Sequence, residues 1–498
     1  MSPRNQRLAF VAGAVALFVA TRIVIYASGD PYFDPDSYKY LSGADSLRAG
    51  KGLPPVFSEI PVTGGALHVV PGYAWMIETI WRTWGGITFT GIAVVQSFVN
   101  LLGFLALAHL FSRWLDDRAA VVVFVFLCLS PSVAWLEHGI MPDSIAPALL
   151  ILASWLAVMG PPGGGRWVGP AIGAAAAGSI ISFEILMRTS SQVYAVIPPL
   201  LVLGATTNRR KVVPWMLIYA TAVVVPLVPW MLQNHRTHDV FAVSASTGRN
   251  LYFSAAWGGT IDRTLAQHEL GIPLRDESHA TYELTDTAFR KALATEGSLA
   301  GADEALRAQA LAAYRSKDLR SIFRERAALL SALFVHSPDM GKTMTPLRPY
   351  REAYLVNRNS SRQVRERLEH RFKYRFTPEY TEAAARLGTG SSWGVVLFSA
   401  AIFLLTFDGV ALLLAYTISL PMIFWQAEER WNILLLAAAP AAAFMAMYVF
   451  FGGPLYRYQA GLHLFMLATC AAALSLVLEA LPRRMPRHAH KMRRLTGQ

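Results

Sequence analysis

Residues 32–53 read YFDPDSYKYLSGADSLRAGKGL. They follow an apolar run, Leu8 to Ala27, that is long enough to cross a bilayer. Two carboxylates, Asp34 and Asp36, therefore stand where the chain leaves the membrane. Asp36, Tyr40, Ala44 and Leu47 recur at steps of four and three, so the spacing predicts a short helix with these residues on one face. Gly50 and Gly52 supply its stop signals. Asp36 has two readings at this point. It is the N-cap of the helix, a position that Asp favours, or it is a group that carries chemistry.

The surrounding composition decides the class. The chain has 498 residues, 54% hydrophobic and only 16% charged; soluble domains carry roughly 25% charged residues. A window of about twenty residues picks out about ten apolar spans. They lie at 8–28, 88–111, 119–138, 143–160, 168–187, 192–207, 212–232, 394–418, 431–451 and 460–481. The first is too long for a signal-peptide core and lacks a cleavage site, so it reads as an uncleaved span. The expected fold is an all-α polytopic membrane protein.

Charge sets its orientation. Arg4, Arg7, Arg113, Arg118, Arg166, Arg209, Arg210, Lys211 and the basic tail at 483–498 fall on one side when the span count is even. Both termini are then cytoplasmic. This bias accounts for the net charge of +12 and argues against a nucleic-acid partner. Cys128 and Cys470 both lie in apolar runs and form no disulfide framework.

Two larger segments are left outside, 29–87 and about 233–393. The first contains the opening stretch, a Gly/Pro-rich passage and a helix from Pro71 to Trp84. The second is polar and helix-patterned, and its 257–390 portion is long enough for a small domain. The expected organisation is a catalytic membrane module over 1–256, an outer helical domain over 257–390 and C-terminal spans over 391–482. A basic cytoplasmic tail completes it. The chain shows no internal repeat, no GxGxxG, no Walker motif and no metal-spaced Cys/His cluster, so nothing points to a nucleotide donor.

Polar residues gather at the outer ends of separate spans. They are Asp34 and Asp36; His68 before the Pro71-Gly72-Tyr73 turn; Glu137, His138 and Asp143; Arg188; Asn234; and Arg457 with Tyr458. Singly, each has a structural reading. Asp143 can cap the next helix, Arg188 can pair with Glu184 one turn earlier, and Arg457 can snorkel to the interface. Together, carboxylates and arginines on one face suit an anionic, membrane-borne substrate, because the guanidinium fork offers paired donors to phosphate.

The ordered set resembles a family. DSYKYLSGADSLRAGKGL (36–53) looks like the first outer loop of the GT-C glycosyltransferases, more closely the bacterial branch around protein O-mannosyltransferases and lipid A aminoarabinose transferases. That loop has an Asp, an aromatic and an Ala at four-residue steps, here Asp36, Tyr40 and Ala44. VVPGYAWMI (69–77) resembles the family's PPGYP stretch, and SPSVAWLEHGIMPDS (130–144) its stretch ending in an acidic residue, here Asp143. LMRTS (186–190) resembles its Arg-containing segment. VPWMLQNHRTHDVFAVSASTGRNLYFS (228–254), with Asn250, resembles its PW-xx-RN…G-NLY segment, and YRYQAGLH (456–463) its RY segment. The resemblance covers most of the membrane part and leaves out 257–390. The chain departs from it at Ser37, where many relatives have Glu, and at His68 and Gln233.

The resemblance implies a GT-C-like bundle with outer juxtamembrane helices and a small outer domain. It implies a transferase that moves a sugar from a polyprenyl-phosphate donor to an envelope glycan, lipid or protein on the outer face of the bacterial inner membrane. Asp36 would be the base, with Asp34 beside it and Asp143 orienting acceptor or sugar. Arg188 and Arg457 would hold the phosphate. Tyr40, His68, Tyr73, Glu137, His138, Asn234, Asn250 and Tyr458 would line the substrate. A divalent cation, Mg or Mn, is left open, with Asp34 and Asp36 as its ligands if there is one. The alternatives are a polytopic lipid or solute transporter or flippase, whose repeats and midplane charges this chain lacks, and a non-catalytic receptor.

Overall fold

A computed structural model describes residues 3–28, 31, 33, 37–54, 69–159, 168–206, 209–270, 277–334, 374–386, 412–425, 430–451 and 456–484. Asp34, Asp36 and His68 lie outside the described residues. Among those described, every regular element is a helix: α1 Pro3–Ser28, α2 Ser37–Arg48, α3 Gly72–Thr83, α4 Phe89–Trp114, α5 Asp117–Leu129 and α6 Pro131–His138 come first. After a short 3-10 turn, Pro142–Ser144, come α7 Ala146–Met159 and α8 Val168–Met187. A 3-10 stretch, Thr189–Val196, leads into α9 Ile197–Ala205, followed by α10 Arg209–Val224 and α11 Val228–His238. The helices of the segment expected to be outer, called the outer helices for that expectation, are α12 Thr247–Trp257, α13 Arg263–Leu270, α14 Glu277–Glu296, α15 Leu299–Arg315, α16 Leu319–Phe334 and α17 Pro378–Ala385. The chain ends with α18 Leu412–Trp425, α19 Arg430–Phe451 and α20 Tyr456–Arg484.

The protein is a membrane protein of apolar helices. Phe89–Trp114, Val168–Met187 and Arg210–His238 are each long and apolar enough to cross a bilayer. Shorter apolar helices stand at most of the other predicted spans. Several predicted spans are built of two pieces. The run over 119–138 is α5 plus α6, broken at Ser130-Pro131, where Ser130 caps α6 by accepting from the Val133 N–H. Such breaks are tolerated at membrane depth only where other protein groups satisfy the freed backbone. Of the predicted span at 394–418, the portion 394–411 lies outside the described residues, and the described helix runs from Leu412 to Trp425.

The membrane core joins α4, α5, α7, α8, α9, α10 and α20, with Phe104, Phe124, Leu201, Trp215 and Phe465 buried in it. Small residues bring helices close: a Cβ at Gly178 of α8 would lie 2.5 Å from the Tyr219 carbonyl oxygen of α10. A second core forms among α12, α14 and α15 around Leu251, Tyr252, Leu284, Phe289, Leu299 and Leu306. It already includes Val240 and Ala245. Packing thus puts α12 with the outer helices, ahead of the expected 256/257 boundary. Asp303 of α15 accepts from the Gly248 and Arg249 N–H groups, both at 2.9 Å, and so closes the N-terminus of α12.

A third cluster lies on the segment between α1 and α4, the expected first outer loop. Tyr38 and Leu41 of α2, Tyr73, Ile77 and Trp81 of α3 and Phe89 of α4 pack with Phe376 and Tyr380. The end of the expected 257–390 unit therefore packs on the first outer loop, because its aromatic side chains find ring partners there. Phe376 and Tyr380 stack at 4.1 Å, and Tyr380 meets Phe89 edge-on at 5.7 Å. Asp45 fixes this strap. Its buried carboxylate accepts from the Tyr374 hydroxyl at 2.6 Å, the Thr377 N–H at 2.9 Å and the Thr377 hydroxyl at 2.5 Å. Burial, with the hydrogen bond to Asp45, keeps the Tyr374 phenol above its usual range, so it remains a donor. Arg48 adds an ion pair to Glu379 at 2.7 Å. Asp45→Ala would leave these donors unmatched, at about 1–3 kcal/mol for each buried one. Limited proteolysis should then cut near residues 374–386 well below the wild-type unfolding temperature, whereas Arg48→Ala, on a more exposed pair, should change cleavage little.

Candidate functional site

Helix ends meet around Asp143 and Arg188. Asp143 lies in the Pro142–Ser144 turn between α6 and α7. Met141 is extended there, Pro142 occupies the first helical position, and Ser144 Oγ donates to the Met141 carbonyl at 2.9 Å. Proline suits that position because its fixed φ is already helical and its missing N–H is not needed. Asp143 thus lies inside the turn rather than capping the next helix: Met141 is the N-cap, no side chain caps there, and the Asp143 carboxylate goes elsewhere.

Arg188 is the residue that ends α8. Its backbone is extended (φ −153°, ψ 111°), and its N–H donates to the Glu184 carbonyl at 2.8 Å. Its guanidinium reaches Asp143, with Nη1 2.6 Å from Oδ1. The two side chains are only 13% and 6% exposed, so the pair is nearly sealed from water. The sequence leaves Arg188 a local partner in Glu184; the structure adds one from 45 residues upstream.

The start of α3 is pressed against this helix end. A Cβ on Gly72 would lie 2.6 Å from the Leu186 carbonyl carbon and oxygen and 2.9 Å from the Met187 nitrogen, a space only glycine fits. Tyr73 follows, fully buried, with the Tyr40 ring of α2 edge-on at 5.1 Å. Its hydroxyl donates to Gln96 Oε1 of α4. Burial, and then the proximity of Tyr40 and Asp143, hold the Tyr73 hydroxyl well above its usual range, so it stays protonated. Tyr40, Tyr73, Asp143 and Arg188 are therefore brought together.

Glu137 and His138 are close by, but Glu137 faces inward. Arg22 of α1 binds it with Nε to Oε2 at 2.8 Å and Nη2 to Oε1 at 2.5 Å. Ser97 donates to Oε2 at 2.9 Å, and Ser97 in turn meets the Tyr26 hydroxyl at 2.7 Å. Arg22 also donates to the Cys128 carbonyl at 2.8 Å, near the end of α5. Both Glu137 oxygens are thus engaged by protein donors. His138 is buried with its ring 5.2 Å from that of Tyr26.

The remaining candidates fall elsewhere. Asn234 is buried, and its amide donates to the Ala242 and Val243 carbonyls at 2.8 and 3.3 Å, holding the turn that follows α11. Asn250 is half-buried on α12, within the outer helical core. Arg457 and Tyr458 belong to the first turn of α20, which packs against α6 and the Pro142–Ser144 turn; their side chains lie outside the described residues. Among the described residues no group of three His, Cys, Asp or Glu is placed to hold a metal ion. Asp143 is engaged by Arg188.

Sequence reading missed Arg22, Gln96 and Ser97. A signal existed for the first: an arginine inside an apolar span calls for an internal partner. Arg188→Ala should leave Asp143 buried without its cation and destabilise the protein by on the order of 3 kcal/mol, because breaking a buried pair is far costlier than lacking one. Arg188→Met with Asp143→Leu should recover most of the loss in a thermal-unfolding assay.

The sequence matches no family model and no curated relative. Solved structures do match. The Archaeoglobus fulgidus oligosaccharyltransferase, in complex with Zn and sulfate, aligns over 97% of this chain and 51% of its own, at 12% identity and a TM-score of 0.50. AglB from the same organism, with an inhibitory peptide and a dolichol-phosphate, aligns over 96% and 52%, at 13% identity and 0.46. ArnT from Cupriavidus metallidurans, bound to undecaprenyl phosphate, aligns over 95% and 78%, at 13% identity and 0.34. The chain spans about half the length of the oligosaccharyltransferase. At this identity the likeness speaks for architecture alone: the chain has a GT-C-like fold.

Proposed function

We propose that this chain is a membrane glycosyltransferase that moves a sugar from a polyprenyl-phosphate donor to an envelope acceptor on the outer face of a bacterial inner membrane. The observation that carries the reading is the Asp143–Arg188 pair, held at the meeting of helix ends beside α2, in a fold like that of an oligosaccharyltransferase.

The chemistry follows from the residues. An acceptor hydroxyl attacks the anomeric carbon and gives up its proton, which a carboxylate should take. Asp36, directly before the first residue of α2, is assigned as that base, with Asp34 close by in sequence. The bond that breaks runs from the anomeric carbon to a phosphate oxygen, so cations should meet the charge that develops there. Arg188 is suited to this. A guanidinium is a planar, permanently charged fork of five N–H donors, the geometry that phosphate oxygens match, and Asp143 holds one of its nitrogens at 2.6 Å. Asp143 thereby orients Arg188 as well as the acceptor or sugar. Arg457 is assigned as a second cation, and a single displacement inverts the anomeric centre. Asp34 and Asp36 would hold Mg or Mn, should the reaction require one. The apolar surfaces between spans would hold the prenyl chain. The outer helices would guide the acceptor.

Purified protein, a synthetic polyprenyl-phosphate sugar and an acceptor extract test this. Asp36→Asn should lower kcat by at least roughly a hundredfold with donor binding retained, since Asn caps a helix nearly as well as Asp. Full turnover by Asp36→Asn would end the case for this base. No transfer by the wild type, with movement of lipid or solute across vesicles instead, would favour a transporter.

A further inference from the structure

One side chain touches both halves of the candidate site without belonging to it. Gln96 is fully buried on α4. Its Nε2 donates to the carbonyl of Glu137 and to that of Gly139, each at 2.8 Å. Carbonyls only accept, so the amide nitrogen must face them and the oxygen must face the other way. There Oε1 accepts from the Tyr73 hydroxyl. The orientation of the amide, and the direction of the Tyr73 hydroxyl with it, is therefore set by chemistry.

The two carbonyls are those that a helix break leaves over. α6 ends at His138, and the chain runs extended through Gly139 and Met141 before the Asp143 turn begins. The Gly139 carbonyl also takes the Met141 N–H at 2.9 Å. A broken helix among spans has no water to satisfy such groups. The end of α6 is further fixed by Arg22 and Ser97 on the Glu137 carboxylate, so three side chains from α1 and α4 hold the six residues leading to Asp143. Tyr73, on the other side of Gln96, follows the glycine pressed against the end of α8, where Arg188 stands.

We infer that Gln96 is a positioning residue for the transfer reaction: a single amide sets the Asp143 turn and the Tyr73 end of α3 in register with each other. The inference rests on the reading that Asp143 and Arg188 act on substrate. It assigns Gln96 no contact with substrate.

The test uses the full chain in nanodiscs. Gln96→Met keeps the volume and removes the amide, and Tyr73→Phe removes only the hydroxyl. Displacements near 1 Å can cost about a hundredfold in rate. Gln96→Met is expected to lower kcat per folded molecule by ten- to a hundredfold, with little change in binding of polyprenyl phosphate, which relies on arginine. Tyr73→Phe should lower kcat less, and the double variant should be no slower than Gln96→Met alone. Hydrogen–deuterium exchange over residues 139–145 should quicken in Gln96→Met and stay at the wild-type level in Tyr73→Phe. A lower melting temperature with wild-type kcat per folded molecule would reduce Gln96 to a packing residue and overturn the inference. Independent, additive losses for the two variants would overturn it as well. Unchanged exchange at 139–145 would overturn it even if no sugar transfer were found, so the two readings can fail separately. Should Gln96→Met not fold, Gln96→Glu takes its place: it keeps an acceptor for Tyr73 but turns oxygen toward the carbonyls, and should reproduce both the kcat loss and the faster exchange.

Discussion

Breaking a helix among apolar spans exposes carbonyls and N–H groups that only the protein can satisfy, and this chain breaks several. The Arg22 guanidinium answers the first break. It spans the junction between α5 and α6, donating to the Cys128 carbonyl on one side and gripping the Glu137 carboxylate on the other. A charge of this kind is costly in hydrocarbon and stable only when paired inside the bundle. Everything downstream inherits its placement, because α6, the extended Gly139–Met141 link and the Asp143 turn are read out from that junction.

The site has an unequal construction. Its centre is a near-sealed ion pair, Asp143 with Arg188, drawn from two spans. Its walls are aromatic and come from the outer loop: Tyr40 from α2 and Tyr73 from α3. The centre is held by polar contacts that tolerate little displacement. The walls are held by packing, above all by a glycine against the end of α8.

Much of this was legible in the sequence. Apolar length located the spans, glycines at positions 50 and 52 ended α2 with φ of 71° and 73°, polar clustering at span ends marked Asp143 and Arg188, and helix-face spacing and the family resemblance marked Tyr40 and Tyr73. What was not legible are pairings between distant residues carried by single polar groups in apolar context. Arg22 and Glu137 lie 115 positions apart, and Asp45 and Tyr374 lie 329 apart; neither local periodicity nor spacing relates them. Glu137 and Asn234 illustrate the converse. They stood in the right places for substrate contact, yet each is occupied with the backbone or a side chain of its own protein. α12 shows the same thing in packing: in sequence it is the end of a family-like motif, while in space it packs with α14 and α15.

The strap closed by Asp45 has a consequence of another kind. The polar stretch between α11 and the strap is anchored at both ends on the membrane part, by Asn234 and Trp230 holding the Ala242–Val243 carbonyls and by Asp45 holding Tyr374 and Thr377. A stretch pinned in this way is a closed loop, and doubling the length of such a loop costs only about 0.6 kcal/mol in closure entropy. Evolution can therefore lengthen, shorten or replace what lies between the two anchors at small thermodynamic expense, provided that the anchors themselves are kept.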